Sequence, residues 1–83
     1  MKYQTSKNID GINYSISINE KNIICGEYED NPHGLNNEVS CSLKAFINNS
    51  GENATRCHSL IKQYFGNKEF EKAVKLVKAY LSK

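Results

Sequence analysis

Tryptophan is absent from this chain of 83 residues, proline occurs once (Pro32) and arginine once (Arg56). No stretch approaches the roughly 20 apolar residues that a membrane-crossing helix needs. The opening Met1-Lys2-Tyr3-Gln4-Thr5-Ser6-Lys7 lacks the apolar run of a signal peptide. The expected location is therefore cytoplasmic, in a bacterium or, for a phage-encoded chain, in its host. Three cysteines, Cys25, Cys41 and Cys57, are an odd number and a poor disulfide framework. In a reducing compartment they act as small apolar side chains. The close ligand pairs of zinc sites, such as C-x-x-C, are missing, so neither a metal nor another cofactor is expected. There is no phosphate-cradling glycine loop, paired-carboxylate motif or nucleophile elbow. Cys57 and His58 are neighbours, but on a helix they point about 100° apart, which is no dyad geometry. The chain is not expected to be an enzyme.

What is present suits one small α+β domain spanning residues 1–83. Hydrophobic residues make up 39%, enough to fold, but a domain this short buries only about 60% of its unfolded surface. A deep enclosed pocket is not expected. Ile12, Tyr14, Ile16 and Ile18 alternate with polar residues, the period of a half-buried strand. Asp10-Gly11 before it signals a hairpin and makes Lys2 to Ile9 a first, edge strand. Asn19 to Asn22 is a polar turn, and Ile23 to Tyr28 is the returning strand. Gly26 within it marks a bulge or a close backbone approach. Glu29 to Asn37 is a loop dense in turn formers, in which Leu35 either packs down as an anchor or points at a partner. Glu38 to Ile47 reads as a further strand, with Val39, Cys41, Leu43, Ala45 and Ile47 on one face and Phe46 breaking the pattern.

The helical period then takes over. Ala54, Cys57, Leu60, Ile61, Tyr64 and Phe65 share one side of a helix from about Asn53 to Phe65. Gly66 ends it, and Asn67 caps a second helix, Lys68 to Ser82. Phe70, Ala73, Val74, Val77 and Leu81 form the core stripe of that helix, with Leu76 and Tyr80 at its margin. The expected architecture is a three- or four-stranded antiparallel β-meander followed by two amphipathic helices packed on one face of the sheet.

Charge is unevenly divided. Residues 1–55 carry four Lys against seven Asp or Glu, net −3; residues 56–83 carry Arg56 and six Lys against Glu69 and Glu71, net +5. Such a dipole orients a partner and raises its on-rate. The acidic cluster lies around the long loop, and loops on a rigid scaffold often carry binding residues. The expected protein-binding residues are Glu27, Tyr28, Glu29, Asp30, Asn31, His33, Asn36 and Glu38. The alternative is nucleic-acid binding through Lys68, Lys72, Lys75 and Lys78 on the second helix. Against it stand the lone arginine and the absence of any helix-turn-helix or RNP signature. An exposed first strand also offers an edge for a second copy, giving a homodimer.

In length, compact α+β character and Lys-, Asn- and Ile-rich usage, the chain resembles the small phage-encoded inhibitors of bacterial defence, the anti-CRISPR proteins among them. Those proteins share no motif, so the resemblance carries over no residue. It implies a stoichiometric inhibitor of a larger protein, such as a CRISPR effector or other defence nuclease, acting by occlusion rather than chemistry.

Overall fold

A computed structural model describes residues 2–29, 33–34 and 36–83. Four strands, β1 (Tyr3–Ile9), β2 (Ile12–Ile18), β3 (Asn22–Glu29) and β4 (Asn36–Ser42), precede three helices, α1 (Leu43–Asn48), α2 (Glu52–Tyr64) and α3 (Asn67–Leu81). The strands form one antiparallel meander in the order β1-β2-β3-β4. The fold is α+β, with the helices packed on one face of the sheet.

The turns follow from their residues. Asp10 and Gly11 both take positive φ (51° and 85°), so β1 and β2 close through a two-residue turn whose twist matches the strands. At the next turn the Asn19 side chain accepts from the backbone N–H of Lys21 and of Asn22, at 2.7 and 2.9 Å. Gly26 pairs in register with both neighbouring strands, so it is no bulge. It is a close approach: a Cβ there would overlap the Tyr28 ring.

The strand expected over Glu38 to Ile47 ends at Ser42. Its last residues, Leu43 to Asn48, are the short helix α1 instead. The Ser42 hydroxyl accepts from the Ala45 N–H at 3.1 Å, an N-cap. Asn49 closes the far end in the left-handed region (φ 49°). This helix drops Phe46, the residue that broke the strand alternation, fully into the core. There are thus three helices on the sheet rather than two.

Gly66, at φ 93°, makes the corner between α2 and α3. The N–H groups of Phe65 and Gly66 both bond the Ile61 carbonyl, and the Gly66 carbonyl accepts from Phe70. Gly66 therefore occupies the N-cap position expected for Asn67, which is the first residue of α3. A positive φ there suits a residue without a Cβ.

The core joins Ile16, Ile18, Ile23, Cys25 and Val39 of the sheet to Leu43 and Phe46 of α1, Cys57, Leu60 and Ile61 of α2, and Ala73 and Val77 of α3. Leu81, expected in the core stripe, is 47% exposed because the end of α3 runs past the packed layer. Tyr14 stacks on Tyr64 with ring centroids 3.9 Å apart and planes at 16°, fixing the C-terminal end of α2 over β2. Among the described residues no helix or strand packs on the other face of the sheet. Gln4, Ser6 and Asn8 of β1, Asn13, Ser15 and Ser17 of β2, and Ser40 and Ser42 of β4 lie on it, with Ile24 and Tyr28 of β3. No helix among the described residues is long and apolar enough to cross a membrane.

Candidate functional site

A concavity lies where α2 crosses β3 and β4. It is a half-open groove of about 220 Å³. Cys25, Val39 and Leu60 give it an apolar floor. Glu27 and Asn37 stand on the sheet side, with Glu38 at the rim, and Thr55, Arg56, Ser59, Gln63 and Tyr64 form the α2 wall. Strand alternation puts Glu27 on the helix-facing side, opposite Tyr14 in the register. The helical repeat brings Arg56, Ser59 and Gln63 along one side of α2, at spacings of three and four.

The electrostatics favour neutral aromatic groups beside fixed charges. Burial, then the adjacent Tyr64 phenol and the nearby Glu27 and Asp10 carboxylates, push the Tyr14 phenol up to about 12. Tyr28 is also raised, first by burial and then by its bond to Glu38. Its hydroxyl donates to Glu38 Oε2 at 2.8 Å.

The residues expected to bind protein do not form one cluster. Glu27 faces the groove, whereas Tyr28 and Glu38 meet on the uncovered sheet face. Glu29 and Asn36 are exposed at the ends of β3 and β4, and His33 is exposed in the turn between them. Asp30, Asn31 and Leu35 lie outside the described residues. Arg56, Ser59 and Gln63 carry no motif; only the packing of α2 on β4 brings them to Glu27.

The lysines expected to bind nucleic acid are all exposed on α3. At about 100° per residue, Lys68, Lys72 and Lys75 share one arc, with Lys78 to one side. Lys72 Nζ sits 4.7 Å from the centre of the Tyr3 ring, whose hydroxyl donates to Glu69 at 2.9 Å.

The thiols and His58 serve the core. Cys57 Sγ donates to the Val39 carbonyl at 3.9 Å, and the neighbouring Cys25 thiol and burial raise its pKa; burial and Cys57 push Cys41 up to about 12. Thiols held neutral make poor nucleophiles. His58 Nε2 lies 2.7 Å from the Phe46 carbonyl, so that nitrogen carries the proton and donates. Its ring packs against Phe46 and Phe70. Among the described residues no three His, Cys, Asp or Glu side chains are placed to hold a metal ion.

No family model, curated protein or solved structure matches the chain.

Proposed function

We propose that the protein is a binding module that takes a segment of a larger protein into the groove between α2 and the β3–β4 end, and inhibits that protein by occlusion. The observation that carries this reading is the size and lining of the groove. Small-molecule sites usually enclose about 300–1,000 Å³; this groove is smaller and half open, and fits side chains of a partner. Glu27 inside it, with Glu29 and Glu38 nearby, favours a basic side chain, while Arg56 and Gln63 on the opposite wall favour a carboxylate or carbonyl. The resemblance to phage-encoded inhibitors supports a bacterial defence nuclease as the partner class.

The test compares three proteins as bait in a bacterial lysate. Wild type retains a stoichiometric protein. The double variant Ser59→Trp, Glu27→Lys, which fills the groove from an exposed position on α2 and reverses its charge, loses it. Lys72→Glu with Lys75→Glu retains it. Equal retention by all three removes the groove model.

A second reading, nucleic-acid binding by α3, is favoured by one observation. Lys68–Lys72 and Lys72–Lys75 are like-charge neighbours at helical contact spacing, an arrangement that costs helix stability. Nucleic acid that is retained by wild type, leaves as salt rises and is lost in the Lys72→Glu, Lys75→Glu protein would establish it.

A further inference from the structure

The two edges of the sheet are treated differently, and the register shows which backbone groups each one exposes. In a two-residue hairpin the residues flanking the turn exchange both backbone hydrogen bonds. Ile9–Ile12 is therefore a bonded pair, and the alternation continues through Lys7–Tyr14, Thr5–Ile16 and Tyr3–Ile18. The next hairpin agrees: the Asn19 N–H bonds the Asn22 carbonyl at 3.0 Å, so odd-numbered residues of β2 bond to β3 and even-numbered ones to β1. The same parity leaves the even-numbered residues of β4 facing its free edge, and there the Asn53 side chain donates to the Ser40 carbonyl at 3.2 Å. The β4 edge is thus partly closed by α2.

Among the described residues the β1 edge has no such cover. Its N–H and C=O groups at Gln4, Ser6 and Asn8 point away from β2, and α3 meets β1 at Tyr3. The strand has no bulge and no proline. Its only charged residue is Lys7, on the helix-facing side of the sheet. Of the devices that usually guard an edge against pairing, such as an inward charge, a proline or a bulge, Lys7 is the only one this strand carries.

We propose that β1 pairs antiparallel with β1 of a second copy, about a two-fold axis at Ser6, joining two meanders into one continuous eight-stranded sheet. The sequence is self-complementary about that point. Ser6 meets Ser6 of the second copy, and Gln4 meets Asn8 twice, so all three outward-facing residues form bonded pairs. On the helix-facing side Tyr3 meets Ile9, an apolar residue only half-buried in the single chain, and Thr5 meets Lys7. Beyond the strand ends Lys2 comes beside Asp10 of the second copy, an opposite-charge pair formed twice. The interface lies at the opposite edge of the sheet from both grooves, so it is independent of the proposed partner site.

Sedimentation equilibrium of the wild-type protein over a range of concentrations tests the proposal. The expected result is a monomer–dimer equilibrium with no larger species. Ser6→Pro removes an outward N–H without touching the β1–β2 ladder, and proline is tolerated on an edge; it is expected to stay monomeric with an unchanged circular dichroism spectrum. Amide exchange gives a readout without mutation. In the dimer range the amides of Gln4, Ser6 and Asn8 become protected, whereas in dilute protein only those of Tyr3, Thr5, Lys7 and Ile9 are. A monomer at every concentration, a mass that keeps growing, or a dimer without protection at Gln4, Ser6 and Asn8 would overturn it.

Discussion

The Tyr28 ring lies across Gly26, two residues back on the same strand, and its hydroxyl is tied to Glu38 on β4. The ring covers the backbone where a side chain is missing. Gly26→Ala would place a Cβ 2.5 Å from Tyr28 Cζ, so the ring must swing away and lose Glu38. The clash falls on the outer end of a side chain on the open face, so the cost is that of the lost Glu38 bond, offset in part by replacing a glycine within a strand. Tyr28→Phe, which keeps the ring and loses one hydrogen bond, should cost about 0.5–1.5 kcal/mol. Urea unfolding of both variants checks the order.

Phe46 is fully buried where α1, α2 and α3 meet. Its ring touches His58 and Phe70, with centroids 4.6 and 6.0 Å away. Phe46→Ala should cost about 3–5 kcal/mol. A domain of this size has few kcal/mol to lose, so the variant is expected to be largely unfolded at growth temperature. A melting curve close to wild type would mean that α1 does not hold the core together.

Alkaline pH should unfold the protein through its tyrosines. The Tyr14 phenol stands at about 12 against 10.0 for a free tyrosine, and Tyr28 is raised as well. A raised folded-state pKa gives stability that is complete below the unfolded value and is lost as pH climbs through the folded one. Stability should therefore fall between about pH 10 and 12. Tyr14→Phe should flatten that fall, because phenylalanine has no proton to lose. Unfolding curves across the range, with phenolate absorbance as a second signal, measure it.

The thiols should be inert. Reaction needs thiolate, and both Cys41 and Cys57 are held neutral. At neutral pH an alkylating reagent should leave the folded protein unmodified at both positions and modify them in denaturant. Rapid labelling of the folded protein at Cys57 would show that α2 opens.

The hairpin and the inward residues of β2 were legible because a dipeptide and a period of two each have one structural meaning. The stripe on α2 was legible for the same reason, with Ala54, Cys57, Leu60 and Ile61 all buried. The stretch from Leu43 to Ile47 misled, because Leu43, Ala45 and Ile47 satisfy a strand period as well as a helix. The discriminating signals were Ser42, an N-cap residue, and Leu43 and Phe46 at a spacing of three. The groove was hidden for a different reason. Glu27 stands in a strand and Arg56, Ser59 and Gln63 in a helix, and nothing local records that the two elements cross. The division of charge was visible, but not that alternation would turn Glu27 and Tyr28 to opposite faces of the sheet.

Amide exchange on the captured complex, compared with the free protein, tests the groove model most directly. Protection gained at residues 25–27, 37–39 and 55–64, the walls of the groove, is the predicted result. Protection confined to residues 67–83, with the groove exchanging as in the free protein, would contradict the model and move function to the lysines of α3.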